Sequence, residues 1–89
     1  MKQAKVKIRG EGWVVRVKKL KPDLYGECDY NTRTITVNTC TNPKMRRRTL
    51  IHEALHASFP DIDEAAIRDA EEAIDNAVRV GMALLELND

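Results

Sequence analysis

The chain changes its hydrophobic period near Pro43, and this change constrains the fold more than any other feature of the sequence. Upstream, apolar and polar residues alternate in short runs rich in β-branched side chains, as in half-buried strands. Downstream, apolar residues recur every three or four positions, as on one face of a helix. The strand-like runs are residues 5–8, 13–17, 33–38 and, more weakly, 25–30. The pattern predicts an α+β fold with a small N-terminal antiparallel β-sheet of three to four strands, followed by two helices.

The size and charge of the chain exclude several classes of protein. With 89 residues, of which 43% are hydrophobic and 33% charged, the chain can form one core, so we predict a single domain over residues 1–89. The net charge of +1 argues against a protein that mainly coats nucleic acid or an anionic membrane. No apolar run has the length of a signal peptide core or a membrane span, so we expect a cytoplasmic protein without a membrane partner.

Helix signals divide the second half of the chain. Pro43 suits a first helical position after a cap at Thr41 or Asn42, and Pro60 ends the pattern, which predicts a helix from about residue 43 to residue 59. Asp61 or Asp63 can then cap a second, longer helix. We expect its core-facing stripe to consist of Ile67, Ala70, Ile74, Ala77, Gly81 and Leu84.

The segment His52-Glu53-Ala54-Leu55-His56 carries the clearest chemical signal. Residues four apart on a helix project from one face with Cβ atoms roughly 6 Å apart, so two imidazoles can share one metal ion. Glu53, turned about 100° from His52, falls beside the metal and can accept a proton from a water molecule that zinc makes acidic. We predict zinc as cofactor, His52 and His56 as ligands, and Glu53 as catalytic base. The alternative is that both histidines merely lie on a solvated helix surface.

A catalytic zinc site normally has three protein ligands, and the acids downstream of His56 are the candidates for the third. These are Asp61, Asp63, Glu64, Glu71 and Glu72. If the second helix folds back at Pro60, Glu64 lies roughly 5 Å from the bend, level with His56, whereas Glu71 lies about 15 Å along and beyond His52. We therefore predict Glu64 as the third ligand. Two alternatives remain: Glu64 forms a capping box with Asp61 or is a surface acid, or another of the downstream acids is the third ligand. Glu71 is also a candidate to orient a ligand histidine.

Residues 42–85 resemble small phage-type and SprT-like zincin metallopeptidases. The resemblance rests on Thr-Leu-Ile-His-Glu-Ala-Leu-His-Ala at residues 49–57, followed by Phe59-Pro60-Asp61 and a helix that begins with acids. It implies a zincin in which zinc is held by His52, His56 and Glu64, as in minimal gluzincins, with Glu53 as base. It also implies that the strand at residues 34–38 is the edge along which an extended peptide substrate pairs. SprT-like proteins use a third histidine, and none follows His56 here.

The function that these observations favour is zinc-dependent hydrolysis of a peptide bond in a peptide or protein substrate. Two alternatives from other classes are a non-catalytic, zinc-stabilised binding protein and a nucleic-acid-associated module. The second would use the basic run that includes Arg46, Arg47 and Arg48. Charge runs on helices are more often solvated faces. Tyr25 and Tyr30 are candidates to donate a hydrogen bond to the developing oxyanion, with packing as the alternative role.

Overall fold

The computed structural model of the protein describes residues 2–86 and contains a sheet followed by two helices. The elements are β1 (Lys2–Ile8), β2 (Glu11–Lys18), β3 (Gly26–Asp29), β4 (Thr34–Asn38), α1 (Pro43–Ser58) and α2 (Glu64–Leu85). The predicted α+β class is confirmed. Between residues 2 and 86, neither helix combines the length and the apolar character that a membrane crossing requires.

The four strands form one sheet in the order β1-β2-β4-β3. β1 and β2 form an antiparallel hairpin whose two-residue turn, Arg9-Gly10, has positive φ at both positions, as a type I′ turn requires. β3 and β4 are also antiparallel, but β4 lies parallel to β2. The sheet is therefore mixed, and the expectation of a wholly antiparallel sheet is wrong for its central pair.

β4 is a central strand, because it pairs with β2 on one side and β3 on the other. Its residues 35–38 are all buried, including Thr36 and Asn38 on the face opposite Ile35 and Val37. The expectation that residues 34–38 form the edge of the sheet is therefore wrong. On the side of the sheet next to α1, the edge strand is β3, since it pairs with β4 alone among the described strands.

Asn38 fixes the loop that leads into β3. Its side chain is fully buried and makes four hydrogen bonds with backbone groups. Nδ2 donates to the Lys21 and Leu24 carbonyls at 2.9 and 2.6 Å, and Oδ1 accepts from the Leu20 and Cys40 N–H groups at 3.0 and 2.9 Å. One polar side chain thus satisfies backbone N–H and carbonyl groups of a segment that has no regular backbone pairing of its own.

We expect Asn38→Ala to lower the free energy of unfolding by about 4 kcal/mol, because the buried side chain loses four hydrogen bonds at about 1 kcal/mol each. That is a large part of the stability of a domain of this size. Urea denaturation followed by circular dichroism measures it. Asn31→Ala is the matched control, since Asn31 is exposed in the β3–β4 turn. Equal destabilisation by the two variants would contradict the role assigned to Asn38.

The two helices pack in different ways. α1 lies on the sheet, where Ala57 joins Trp13 and Ile35 in the core. α2 contacts α1 and, among the described elements, no strand. Besides the buried Ile67, an ion pair joins the helices: Arg47 Nε lies 2.5 Å from Asp75 Oδ1. The Asp75 side chain is 4% exposed, and its hydrogen bond with Arg47 lowers the pKa of its carboxyl.

The predicted stripe on α2 is correct only for the part that faces α1. Ile67 is fully buried, but Ile74, Ala77 and Leu84 are exposed. α2 has 22 residues and α1 has 16, so the C-terminal part of α2 extends past the start of α1. The periodic pattern therefore predicts an apolar face correctly but not the length over which that face is covered.

Candidate metal centre

α1 and the first turn of α2 bring together two histidines and one carboxylate. His56 Nε2 lies 2.7 Å from Glu64 Oε1, and His52 Nε2 lies 3.5 Å from Glu64 Oε2. One ligand atom from each of the three side chains lies within 4.8 Å of the others. Within residues 2–86, no other set of three His, Cys, Asp or Glu side chains is close enough to hold a metal ion.

The turn between the helices explains why Glu64 occupies this position. α1 ends at Ser58, and the Asp63 side chain caps α2 by accepting a hydrogen bond from the Ala66 N–H at 2.8 Å. Glu64 is therefore the first residue of α2, facing the last turns of α1. The capping box in which Asp61 is the cap and Glu64 reaches back to it is not formed, because the cap is Asp63.

The arrangement fits a zinc ion. Two imidazole nitrogens and a carboxylate oxygen are ligands that zinc prefers, and tetrahedral ligands about 2.0–2.1 Å from zinc lie about 3.4 Å from one another. The separation of 3.5 Å between His52 Nε2 and Glu64 Oε2 is close to that value, whereas His56 Nε2 and Glu64 Oε1, 2.7 Å apart, are in direct hydrogen-bond contact. With three protein ligands, a tetrahedral ion keeps one position for water or substrate.

Glu71 contacts His52 at the ring nitrogen opposite the one that faces Glu64. Its Oε1 lies 2.7 Å from His52 Nδ1, and its Oε2 accepts a hydrogen bond of 3.0 Å from Arg48 Nε. The Glu71 side chain is only 14% exposed. A tautomer of His52 with its proton on Nδ1 donates to this carboxylate, which leaves the Nε2 lone pair facing Glu64.

We expect Glu71→Gln to lower the zinc affinity by roughly 10- to 100-fold, as removal of a carboxylate behind a ligand histidine usually does. Competition with a chromophoric chelator measures the affinity. Glu86→Gln, an identical change at an exposed position beyond the end of α2, is the control and should leave the affinity unchanged. An affinity of Glu71→Gln equal to that of the control would contradict the orienting role.

Glu53 points from α1 toward the start of β3 and is 9% exposed. A Cβ atom at Gly26 would lie 3.5 Å from Glu53 Cγ. Burial raises the pKa of the Glu53 carboxyl above its usual value, while charge on His52 and His56 would lower it. No hydrogen bond to its carboxylate is formed within the described chain. Glu53 is thus a buried acid that lies beside the histidines without bonding to Glu64.

Gly26 allows this close approach of strand and helix, a role that no local sequence pattern indicates. A Cβ atom there would lie 2.6 Å from Thr49 Cγ2 and 2.7 Å from the Thr36 carbonyl oxygen, closer than real Cβ atoms come. Any other residue would therefore move β3 away from α1. Because β3 and α1 are the two elements beside Glu53, Gly26 sets the width of the site.

The tyrosines occupy different positions. The Tyr30 hydroxyl donates to the His56 carbonyl at 2.9 Å, and its ring stands edge-on to Trp13 with centroids 6.1 Å apart. This contact fixes the end of α1 that carries His56, which fits the packing role. Tyr25 is 55% exposed and lines a cleft of about 590 Å³ that also contains His52 and Glu53.

The three arginines of the basic run have partners within the chain. Arg46 donates to the Thr41 and Thr39 carbonyls, while Arg47 and Arg48 pair with acids on α2. These contacts give the run a structural role in joining α1 to α2 and to the loop before it. They weigh against the nucleic-acid alternative, since two of the three positive charges are already balanced.

Comparisons of the chain with protein-family models, curated proteins and solved structures find no match. The resemblance to small zincins therefore stays a prediction. The arrangement of the side chains is therefore the basis for a functional proposal; these are His52, Glu53, His56, Glu64 and Glu71.

Proposed function

We propose that the protein is a zinc-dependent metallopeptidase that hydrolyses a peptide bond in a peptide or protein substrate. One observation carries the proposal: His52, His56 and Glu64 converge on one point, and the buried carboxylate of Glu53 lies beside them in a cleft open to solvent. His52, His56 and Glu64 would hold the ion, and Glu53 would be the catalytic base.

Zinc bound there would polarise the substrate carbonyl and make a water molecule acidic. Glu53 accepts a proton as the water oxygen attacks the carbonyl carbon, and returns that proton to the nitrogen as the C–N bond breaks. The products are a carboxylic acid and an amine, so atoms and charge balance.

The edge strand supplies a path for an extended substrate. β3 pairs with β4 on one side, and its other side has no strand partner within the described chain. An extended peptide can pair with such an edge through its backbone. Because Gly26, the first residue of β3, lies next to Glu53, a peptide along β3 would pass the catalytic base. The substrate path is thus assigned to β3 rather than to residues 34–38.

Hydrolysis of a diverse mixture of quenched fluorescent peptides tests the proposal. We expect turnover by the zinc-loaded protein, loss of turnover when a chelator removes the metal, and recovery when zinc is added back. Metal content is measured on each sample. Turnover that persists in the metal-free sample, or its absence from the whole mixture with zinc bound, would contradict a zinc peptidase.

A second function, a zinc-stabilised binding protein without turnover, is favoured by one observation. Glu64 lies on α2 while both histidines lie on α1, and α2 contacts no strand of the described chain, so a bound ion would add a second link between α2 and the rest of the fold. In that case the zinc-free protein would lose stability, and Glu53→Gln would retain full binding of the partner.

A further inference from the structure

We propose that the cleft beside His52 and Glu53 selects a cationic side chain, lysine or arginine, of the substrate peptide. This inference rests on the proposed peptidase function and names the substrate class for that site. It follows from the walls of the cleft, from the charges at its rim and from the buried carboxylate at its base.

Three elements enclose the cleft. The loop at residues 23–26, the N-terminal half of α1 and the part of α2 around residues 68–72 each contribute one wall. The volume of about 590 Å³ is in the range of ligand pockets and accommodates one long side chain together with the backbone that carries it. The cleft extends from His52 and Glu53 toward the start of α1, so a side chain bound in it belongs to a residue near the peptide bond to be cleaved.

The charged rim of the cleft is acidic. Asp23, Asp69 and Glu72 are exposed there, and none of them forms an ion pair within the part of the chain that the structure describes. Arg68 is the opposing charge at the rim, because Arg48 is paired with Glu71. Three carboxylates therefore face one guanidinium, and a cationic side chain of the substrate would offset the excess negative charge.

The apolar part of the lining matches the stem of a long cationic side chain. Leu24, Tyr25 and Met45 line the cleft between the charged groups. Lysine and arginine pack their methylene stems along such surfaces and keep the charged head at the polar rim. The exposed ring of Tyr25 can also attract the cation through its π face. The methylene groups of a glutamate side chain could make the same apolar contacts, but its carboxylate would be repelled by the acidic rim.

The position of Glu53 is a second observation that favours a ligand in this cleft. Its side chain is buried to about nine-tenths, its carboxylate has no hydrogen-bond partner within the described chain, and it lines the same cleft. Among the described residues no buried side-chain oxygen lacks a hydrogen-bond partner, so the unpartnered Glu53 carboxylate reaches solvent in the cleft, where a bound group can contact it. The cleft therefore leads from a rim that attracts a cation to the group that would act on the peptide bond.

Binding of three matched peptides tests the inference. Each is a labelled, end-blocked alanine peptide with lysine, norleucine or glutamate at one central position, and fluorescence anisotropy measures its affinity for zinc-loaded Glu53→Gln. The metal-free parent protein is measured as well, because the rim charges do not depend on zinc. We expect lysine to bind roughly tenfold more tightly than norleucine, glutamate to bind most weakly, and the difference to shrink as salt is added.

Variants of the rim assign the preference to its residues. In the double variant Asp69→Asn/Glu72→Gln, we expect the lysine preference to fall to about threefold or less. In Arg68→Gln, we expect the lysine preference to increase, because the one positive charge at the rim is removed. Glu86→Gln, the same type of change outside the cleft, should keep the parent preference. Equal binding of the lysine and norleucine peptides, loss of the preference in Glu86→Gln to the same extent, or binding of no peptide would overturn the inference.

Cleavage of the same peptides by the parent protein separates this inference from the proposed function. Cleavage without a charge preference in binding would overturn the inference and leave the peptidase standing. A lysine preference in binding without any cleavage would support the acidic cleft and contradict the peptidase.

Discussion

In His56→Ala, the zinc affinity is expected to fall by roughly 10²-fold or more. A small zinc site with four ligands binds the ion with about 12 kcal/mol, so one ligand contributes about 3 kcal/mol. Glu64→Ala should have a comparable effect, because Glu64 faces both histidines with its two oxygens, at 2.7 and 3.5 Å. Competition with a chromophoric chelator at one fixed pH measures each affinity.

Two comparisons make this result specific to the site. Glu86→Ala removes an exposed carboxylate at the C-terminal end of α2, outside the site, and should retain the parent affinity. Circular dichroism of the metal-free proteins shows whether His56→Ala and Glu64→Ala still fold. Parent-like affinity in folded Glu64→Ala would assign the third ligand to another acid and contradict the geometry described above.

In Glu53→Gln, turnover is expected to fall by roughly 10²- to 10⁴-fold, the usual contribution of a general base. Glutamine has the size of glutamate, which matters because this side chain is only 9% exposed. The amide cannot accept the proton from water, but it leaves His52, His56 and Glu64 in place. The zinc affinity should therefore stay close to that of the parent protein.

The rate on a cleaved peptide and the metal content of the same sample are the two measurements. Glu86→Gln is the matched control, since Glu86 is exposed beyond the end of α2 and outside the site. A rate for Glu53→Gln within a few-fold of the parent would exclude Glu53 as the base. Loss of zinc together with activity would show that Glu53 is needed for metal binding instead.

Local patterns predicted most of the helical part of the site. The Asn42-Pro43 start and the Pro60 stop define α1 to within one residue, since capping and proline geometry are properties of a few neighbouring residues. The rise per residue along two antiparallel helices was sufficient to place Glu64 level with His56. Asp63 rather than Asp61 is the cap, a choice between two equivalent local signals.

The features that the sequence did not reveal depend on contacts between distant segments. The parallel pairing of β2 with β4 makes β3 the edge strand, and no local pattern distinguishes a central strand from an edge strand of similar composition. Asn38 and Gly26 matter because of the loop and the helix that they meet. Asn38 lies in an alternating strand pattern, in which a polar residue is usually exposed, yet its side chain is buried.

The charged residues of α1 show the same limit. The basic run predicts a solvated or nucleic-acid-binding surface, whereas Arg47 pairs with Asp75 and Arg48 with Glu71. Their partners lie more than twenty residues away on α2. Only the packing of the two helices reveals that Glu71, the partner of Arg48, also contacts the ring of His52.

Elemental analysis of the purified protein, before and after reloading with zinc and removal of loosely bound ions, tests the central claim most directly. We predict stoichiometric zinc in the parent protein and much less in His56→Ala treated in the same way. A parent protein that holds no zinc after reloading would contradict the metal centre, and with it the proposed peptidase.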